Sequence, residues 1–221
     1  HGGLDKKSLD TENITALENG IPNLLRHIGN IKNVYGLPCV VALNRFPTDT
    51  DREIDFVIKK CKELHVNTVL STVWAEGGKG GEELAREVVR LCNEEKSNFT
   101  FAYPLEYTIK EKIEAVVKKV YGGDGITVLP AAQKQMDRLT ALGFGGLPVC
   151  IAKTQYSFSD NPSLLGAPSG FTVTVKNVKI SAGAGFIVVL TGDIMTMPGL
   201  PKRPAAENID VDENGKITGL F

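Results

Sequence analysis

The sequence is poor in the residues that build metal centres and disulfide frameworks. It contains only four cysteines and three histidines in 221 residues, and these lie far apart with no C-x-x-C pair among them. Such spacing indicates neither a zinc site nor a set of disulfides. We therefore expect no metal ligands in this chain and a reducing compartment, the cytoplasm.

The sequence also lacks an excess of charge of one sign. Lys and Arg number 25 against 26 Asp and Glu, which gives a formal net charge of −1, so no basic field indicates nucleic acid or an anionic membrane as partner. The apolar runs at residues 38–43 and 186–190 have strand length, whereas a transmembrane helix needs about 20 residues. We expect neither a nucleic-acid partner nor a membrane segment.

The first residues lack a methionine, a basic region and an apolar signal core. The chain begins with His1-Gly2-Gly3, which predicts no secretory signal. Two glycines after a histidine are typical of a tight loop that leaves an earlier element. We therefore expect the C-terminal part of a longer polypeptide, and a remnant of an expression tag is the alternative for His1.

The N-terminal half has the pattern of alternating helices and buried strands. Apolar residues at a 3.6-residue period predict a helix over residues 11–31. Residues 38–43 form an apolar run typical of a strand that is buried on both faces of a parallel sheet. Thr50 and Glu53 have capping-box spacing, which predicts a helix before the next strand at residues 66–73. Together these elements predict a right-handed βαβ unit.

The second half changes from helices to strands. The pattern predicts helices over residues 82–93, 109–120 and 131–142, the last two separated by a turn at residues 121–125. Short strands follow at residues 149–152, 171–175, 178–180 and 186–190, and Asn214-Gly215 indicates a hairpin. The predicted fold is α/β: a parallel βαβ layer (residues 1–145) followed by a smaller β-rich C-terminal domain (residues 146–221).

Two aromatic residues follow the two predicted parallel strands. Phe46 lies in the turn after the first strand, and Trp74 precedes a glycine-rich loop after the second. Ligands of open α/β sheets bind outside the carboxyl ends of the strands. Two aromatic faces about 7 Å apart can hold a flat heteroaromatic ring between them by stacking. The alternative is that each ring only covers the core beneath its loop.

Three further segments have weaker patterns for anions or bases. Asn44 and Arg45, with Asp49 after them, resemble the strand end of a purine-base reader, although the aspartate comes too late. Residues 77–81, G-G-K-G-G, could offer backbone amides to a phosphate, and Lys202 and Arg203 lie in a proline-rich loop. The phosphate-loop pattern G-x-x-x-x-G-K-[ST] occurs nowhere in the 221 residues.

Several blocks of the sequence, in order, resemble one family. They are His1-Gly2-Gly3, V-A-L-N-R-F-P-T-D-T at residues 41–50, W-A-E-G-G at 74–78, L-G-F-G-G-L-P at 142–148, I-A-K-T-Q-Y-S at 151–157, S-A-G-A-G-F at 181–186 and T-M-P-G-L-P at 196–201. On these blocks the whole chain resembles the C-terminal two-fifths of formate–tetrahydrofolate ligase, also called formyltetrahydrofolate synthetase.

The resemblance implies an activity and a set of site residues. The family activates formate with ATP to formyl phosphate and transfers the formyl group to N10 of tetrahydrofolate. Its pterin ring stacks between two aromatic residues that match Phe46 and Trp74. The resemblance also implies nucleotide contacts at Leu165, Ala167, Pro168, Ser169 and Gly170, and Mg²⁺ and a monovalent cation (K⁺ or NH₄⁺) as cofactors. It implies a homo-oligomer as well.

The resemblance further implies that catalysis needs a segment outside these 221 residues. In the family the phosphate-binding loop belongs to an N-terminal P-loop NTPase-like domain, of which residues 1–145 would be the end. Phosphoryl transfer depends on such a loop for positioning and charge stabilisation. We therefore expect this chain alone to have no ligase activity. The alternative function is a catalytically incomplete folate- or nucleotide-binding or assembly fragment, and a generic purine binder is a third hypothesis.

Overall fold

The structure is a computed structural model that describes residues 1–5, 8–192, 203–213, 215 and 217–219. The predicted hairpin residue Asn214, the cation Lys202 and the block at residues 196–201 lie outside the described residues. Among those described, the molecule contains a two-stranded parallel sheet, a four-stranded mixed sheet and a short antiparallel pair. The α/β class predicted from the sequence is thus confirmed.

The first helix organises the N-terminal half. Helix α1 (Ile14–Gly29) is continuous through Pro22 and extends into a π-helical turn, Asn30–Val34. It begins three residues later than predicted because the Asn13 side chain accepts a hydrogen bond from the Ala16 amide and so caps the helix. Its apolar side packs into a cluster with α2 and β1 whose buried members are Ile28, Val57, Cys61 and Val66.

The predicted βαβ unit is present. Strand β1 (Val41–Asn44), helix α2 (Asp51–Glu63) and strand β2 (Thr68–Ser71) follow one another, and β1 pairs with β2 in parallel. One expectation was wrong, because Ala42 and Asn44 are exposed and β1 is not buried on both faces. Only the face that packs against α1 and α2 is covered by described residues.

Helix α2 begins with the capping box that the sequence predicts. The Thr50 hydroxyl accepts from the Glu53 amide, and the Glu53 carboxylate accepts from the Thr50 amide. The same carboxylate accepts from the Asn13 amide at 2.9 Å, which ties α2 to the start of α1. This bond to Asn13, followed by those to Thr50, lowers the pKa of Glu53 below its ordinary value.

Removal of the Thr50 hydroxyl is expected to destabilise the protein. Thr50→Ala deletes the side-chain half of the capping box, which typically costs about 1 kcal/mol of unfolding free energy. Urea denaturation followed by circular dichroism measures the change. Thr50→Ser is the control because it keeps the hydroxyl and is expected to recover most of the loss. Equal stability of the alanine and serine variants would contradict this role.

The second sheet has the strand order β3-β5-β6-β4. Its strands are β3 (Gly125–Val128), β4 (Val149–Ala152), β5 (Thr172–Ser181) and β6 (Phe186–Thr191). β3 pairs with β5 and β4 with β6 in parallel, while β5 and β6 are antiparallel. Helices α5 (Ile109–Val116) and α6 (Pro130–Ala141) pack on this sheet around the largest buried cluster, which includes Ile113, Met136 and Val189.

The sheet differs from the sequence prediction at two points. Residues 125–128 form β3, although the sequence pattern predicts a turn at residues 121–125 and no strand before the next helix. The two strands predicted at residues 171–175 and 178–180 are one strand, β5, with an irregularity between Val175 and Asn177. Because β3 joins β5, the sheet spans both sides of the expected boundary near residue 145.

Two helices follow β2, and a short strand pair lies near the C-terminus. Helix α3 (Val73–Glu76) has a single turn and leads through a 3₁₀ helix, Gly77–Gly81, into α4 (Glu82–Glu94). At the C-terminus, β7 (Asp210–Val211) and β8 (Ile217–Thr218) pair in antiparallel fashion, as the predicted hairpin requires. None of the described helices has both the length and the apolar character needed to cross a membrane.

Candidate functional site

The turn after β1 is closed by its own aspartate. The Phe46 amide donates to the Asp49 carboxylate at 2.8 Å, and the Asp49 amide donates back to the Phe46 carbonyl at 3.1 Å. Arg45 pairs with Asp51 at the start of α2, also at 2.8 Å. These bonds fix the backbone at Phe46, while the residue as a whole stays 47% exposed. Asp49 thus closes the turn that presents Phe46. One of its two carboxylate oxygens is used for this bond, so fewer acceptors remain for the purine base of the alternative hypothesis.

Trp74 is presented by a second compact turn. The Thr72 carbonyl accepts from the amides of Ala75 and Glu76, which forms the single turn of α3. The Thr72 hydroxyl donates to the Glu76 carboxylate at 2.6 Å, and the Thr72 amide donates to the Gly80 carbonyl at 3.1 Å. The glycine loop thus folds back on Thr72, and the indole of Trp74 is 67% exposed.

Gly80 allows this fold-back because a side chain has no room there. A Cβ atom on Gly80 would lie 2.5 Å from the Thr72 carbonyl carbon and 2.6 Å from its hydroxyl oxygen. In Gly80→Ala the backbone of Thr72 must shift, and Trp74 moves with it. We expect several-fold weaker binding of any ligand that stacks on Trp74, as measured by quenching of the Trp74 fluorescence.

The same loop offers a matched control for that substitution. A Cβ atom on Gly78 would meet no atom within 4 Å, so Gly78→Ala is expected to bind as the unmodified chain does. Equal affinities for Gly80→Ala and Gly78→Ala would show that the fold-back on Thr72 does not position Trp74.

The two aromatic rings lie together, as the sheet argument predicts. The ring centroids of Phe46 and Trp74 are 6.2 Å apart, and the ring planes meet at 52°. A flat ring held between two parallel aromatic faces needs a separation of about 7 Å. The Phe46 and Trp74 rings are closer than this and not parallel, so both side chains would have to turn before a ligand ring fits between them.

Phe46 also lines a large cavity on one side of α1. The cavity has a volume of about 730 Å³ and extends from His1 and Gly2 to the turn at Phe46 and Asp49. Its walls are mainly apolar, and they come from α1, α2 and the first residues of the chain: Leu4, Leu9, Leu17, Ile21, Leu24, Ile54 and Val57. A volume of this size suits a substrate or cofactor. Trp74 is not part of the lining.

The candidate nucleotide segment lies next to the first residue of the chain. Leu165, Ser169 and Gly170 are exposed, while Ala167 and Pro168 are partly buried. The Gly166 amide donates to His1 Nδ1 at 3.1 Å, and His1 lines the cavity that Phe46 also lines. None of the five candidate residues is itself in that lining; Ala167 lines a second cavity instead.

The loop that leads to this segment is held by a lysine. Lys153 follows β4, and its ammonium donates to the carbonyls of Thr154 and Ser157. It also lies 5.2 Å from the centroid of the Tyr121 ring. Burial lowers the pKa of Lys153, against the opposing charge of Asp160, and burial raises the pKa of Tyr121 to about 12.

A family comparison covers the whole chain. A protein-family model described as formate–tetrahydrofolate ligase matches residues 1–221. The chain belongs to the formate–tetrahydrofolate ligase family. The family resemblance drawn from the sequence is thus confirmed, and the general activity of this family is the ATP-dependent joining of formate to tetrahydrofolate.

Metal ligands are a separate question in this ligase family. Within the part of the chain that the structure describes, no group of three or more His, Cys, Asp or Glu side chains could hold a metal ion. The resemblance implies Mg²⁺ and a monovalent cation, and Mg²⁺ is usually held by one or two carboxylates together with substrate phosphates rather than by such a group. We assign no residue to either ion and derive no step through them.

Two residues of this chain make structural contacts that the sequence alone does not predict. Glu53 joins both helices that line the Phe46 cavity, and its capping role is visible in the sequence while its bond to Asn13 is not. Lys112 is fully buried and donates to the carbonyls of Gly145 and Leu147. No local pattern reveals Lys112, because both of its partners lie more than 30 positions further along the chain.

Proposed function

We propose that this chain holds the pterin ring of tetrahydrofolate between Phe46 and Trp74 while a formyl group is joined to N10. One observation carries the proposal: two exposed aromatic rings at the carboxyl ends of neighbouring parallel strands lie 6.2 Å apart. The family match supports the identity of the ligand. Stacking on two faces would fix the plane of the pterin and thereby limit the positions that N10, attached to the ring through a methylene group, can reach.

We extend the proposal to the nucleotide. ATP would contact Leu165, Ala167, Pro168, Ser169 and Gly170, as the family resemblance implies. The hydrogen bond from Gly166 to His1 supports this, because His1 lies at the same cavity as Phe46.

The proposed reaction has two steps. A formate oxygen attacks the γ-phosphorus of ATP, the bond to the bridging oxygen breaks, and ADP leaves with formyl phosphate formed. The N10 nitrogen then attacks the formyl carbon, the bond from carbon to the phosphate oxygen breaks, N10 loses its proton, and phosphate leaves. Positioning of reactants supplies much of the rate in such reactions, and positioning is what Phe46 and Trp74 would contribute.

The proposal assigns the remaining chemistry to another segment. In the division of labour that the resemblance implies, a P-loop and the residues that hold formyl phosphate belong to an N-terminal segment. The 221 residues alone are then expected to bind folate without ligase turnover. Turnover by the purified chain, with no companion polypeptide visible by denaturing mass spectrometry, would contradict this division.

An assembly role is the second candidate function. Phe99 and Phe101 form an edge-to-face pair at 5.0 Å, with 49% and 79% of their surfaces exposed. Large exposed apolar groups often mark contact surfaces between proteins. This pair favours self-association, in line with the homo-oligomer that the resemblance implies.

The four free cysteines support the cytoplasm as the proposed compartment.

The folate site can be tested through the only tryptophan of the chain. Trp74 fluorescence is titrated with tetrahydrofolate under reducing conditions, and a non-pterin compound of matched absorbance corrects for light absorbed by the ligand. We expect saturable quenching by tetrahydrofolate only. Quenching that follows the absorbance of the compound and never saturates would overturn the proposal.

A further inference from the structure

A second cavity lies on the other side of α1. It has a volume of about 460 Å³ and is formed by α1, the π-helical turn after it, Lys119 and Ala167. Its lining from the first helix includes Pro22, Arg26 and Gly29, whereas Gly20 and Leu24 line the cavity of Phe46. At 3.6 residues per turn, the side-chain positions of Gly20 and Pro22 point about 160° apart. The two cavities are thus separated by the helix itself.

The lining of this second cavity is electropositive. It contains Arg26 and Lys119 but no aspartate or glutamate, and it adds the amides of Asn30 and Asn33. The partly buried Arg26 guanidinium makes no hydrogen bond or ion pair with any residue that the structure describes. Most other arginines of the chain are paired with carboxylates, for instance those at positions 45, 52, 86 and 90.

The surroundings of Arg26 hold its guanidinium in place without using its donors. It lies against Gly122, where a Cβ atom would come within 2.5 Å of Nη1, and the φ of +77° at Gly122 also favours glycine. Asn30 Nδ2 donates to the Val120 carbonyl at 2.9 Å and Lys119 Nζ to the Ala102 carbonyl at 2.8 Å, which fixes the neighbouring walls.

We propose that this cavity binds a phosphate group. The five donors of a guanidinium match the oxygens of a phosphate in a two-point contact, and the Lys119 ammonium and the Asn33 amide can each add a donor. A phosphate would supply a negative charge beside Arg26 and Lys119, because the lining of this cavity contains no carboxylate. The phosphate is either inorganic or part of a nucleotide. Ala167, one of the proposed nucleotide contacts, borders the cavity. If the phosphate belongs to a nucleotide, which rests on the proposed function, one phosphate of that nucleotide would lie in this cavity.

Binding of inorganic phosphate and of ATP to the purified chain tests the site. Isothermal titration is run with each probe on the unmodified chain, Arg26→Gln and Asn33→Asp. Arg86→Gln, which changes an exposed arginine on α4, is the matched control. We expect at least fivefold weaker binding in both cavity variants and unchanged binding in the control. Asn33 is exposed, so Asn33→Asp adds a negative charge that repels phosphate but removes no buried contact. This variant tests the site even if Arg26→Gln does not fold.

The outcomes separate the two sources and the two proposals. Loss of phosphate binding in the cavity variants assigns the site to free phosphate, and loss of ATP binding alone assigns it to the nucleotide. Affinities that do not differ between Arg26→Gln, Asn33→Asp and Arg86→Gln, or no binding of either probe by the unmodified chain, would overturn the phosphate site. Quenching of Trp74 by tetrahydrofolate is expected to be unchanged in Arg26→Gln. The phosphate site and the folate site are therefore tested by separate measurements, and either can fail without the other.

Discussion

Phe46→Ala is expected to weaken tetrahydrofolate binding roughly 10- to 100-fold. An aromatic stack contributes about 0.5–1.5 kcal/mol beyond the burial of area, and burial of one ring face adds about 1 kcal/mol at 25 cal/mol per Å². A loss of about 1.4 kcal/mol corresponds to tenfold in affinity. Because nearly half of the Phe46 surface is exposed, the substitution should change the stability of the fold little. Titration of Trp74 fluorescence measures the affinity.

A second exposed phenylalanine provides the control for this prediction. Phe101 is 79% exposed and its ring pairs with Phe99, whereas the ring of Phe46 pairs with Trp74, so Phe101→Ala is expected to keep the affinity of the unmodified chain. Phe46→Trp should retain most of the binding, because it keeps an aromatic face. If Phe46→Ala and Phe101→Ala bind folate equally well, Phe46 only covers the core beneath its turn.

Lys112→Met is expected to lower the free energy of unfolding by about 2–4 kcal/mol. The Lys112 ammonium donates to the Gly145 carbonyl at 2.7 Å and to the Leu147 carbonyl at 3.0 Å, and the side chain is fully buried. Methionine has a similar length but no donor, which leaves two partly buried carbonyls unpaired at about 1–3 kcal/mol each. Burial already lowers the pKa of Lys112, so relief of that cost offsets part of the loss.

Lys110 on the same helix is the matched control for Lys112. It is exposed, and Lys110→Met should change stability by no more than about 0.5 kcal/mol, as surface substitutions usually do. Urea denaturation of both variants gives the comparison. Equal stability of the two variants would mean that the carbonyls of residues 145 and 147 find other donors when the lysine is absent.

The position of the candidate site could be predicted from the sequence, but its detailed geometry could not. Two apolar runs joined by a capped helix predict a parallel pair, and the carboxyl ends of such strands meet at one edge, which brings Phe46 and Trp74 together. The sequence does not predict the 52° angle between the rings or the fold-back of Gly80 onto Thr72. That contact depends on backbone conformation within a loop, about which the spacing of residues says nothing.

The misses in the second half have a common physical cause. β3 is only four residues long, and its partner β5 begins more than 40 residues later. A short strand between a glycine-rich turn and Pro130 is stabilised by that distant pairing rather than by its own pattern. The burial of Lys112 is similar, since a lysine on an amphipathic helix predicts a solvated position until the carbonyls near residue 145 are brought over it.

The most direct test of the account is a crystal structure of this chain with tetrahydrofolate bound. The account predicts the pterin ring between Phe46 and Trp74, with the two aromatic planes turned nearly parallel and their centroids separated by about 7 Å, from 6.2 Å without ligand. A pterin ring bound elsewhere, with the Phe46 and Trp74 rings still in contact with each other, would contradict it.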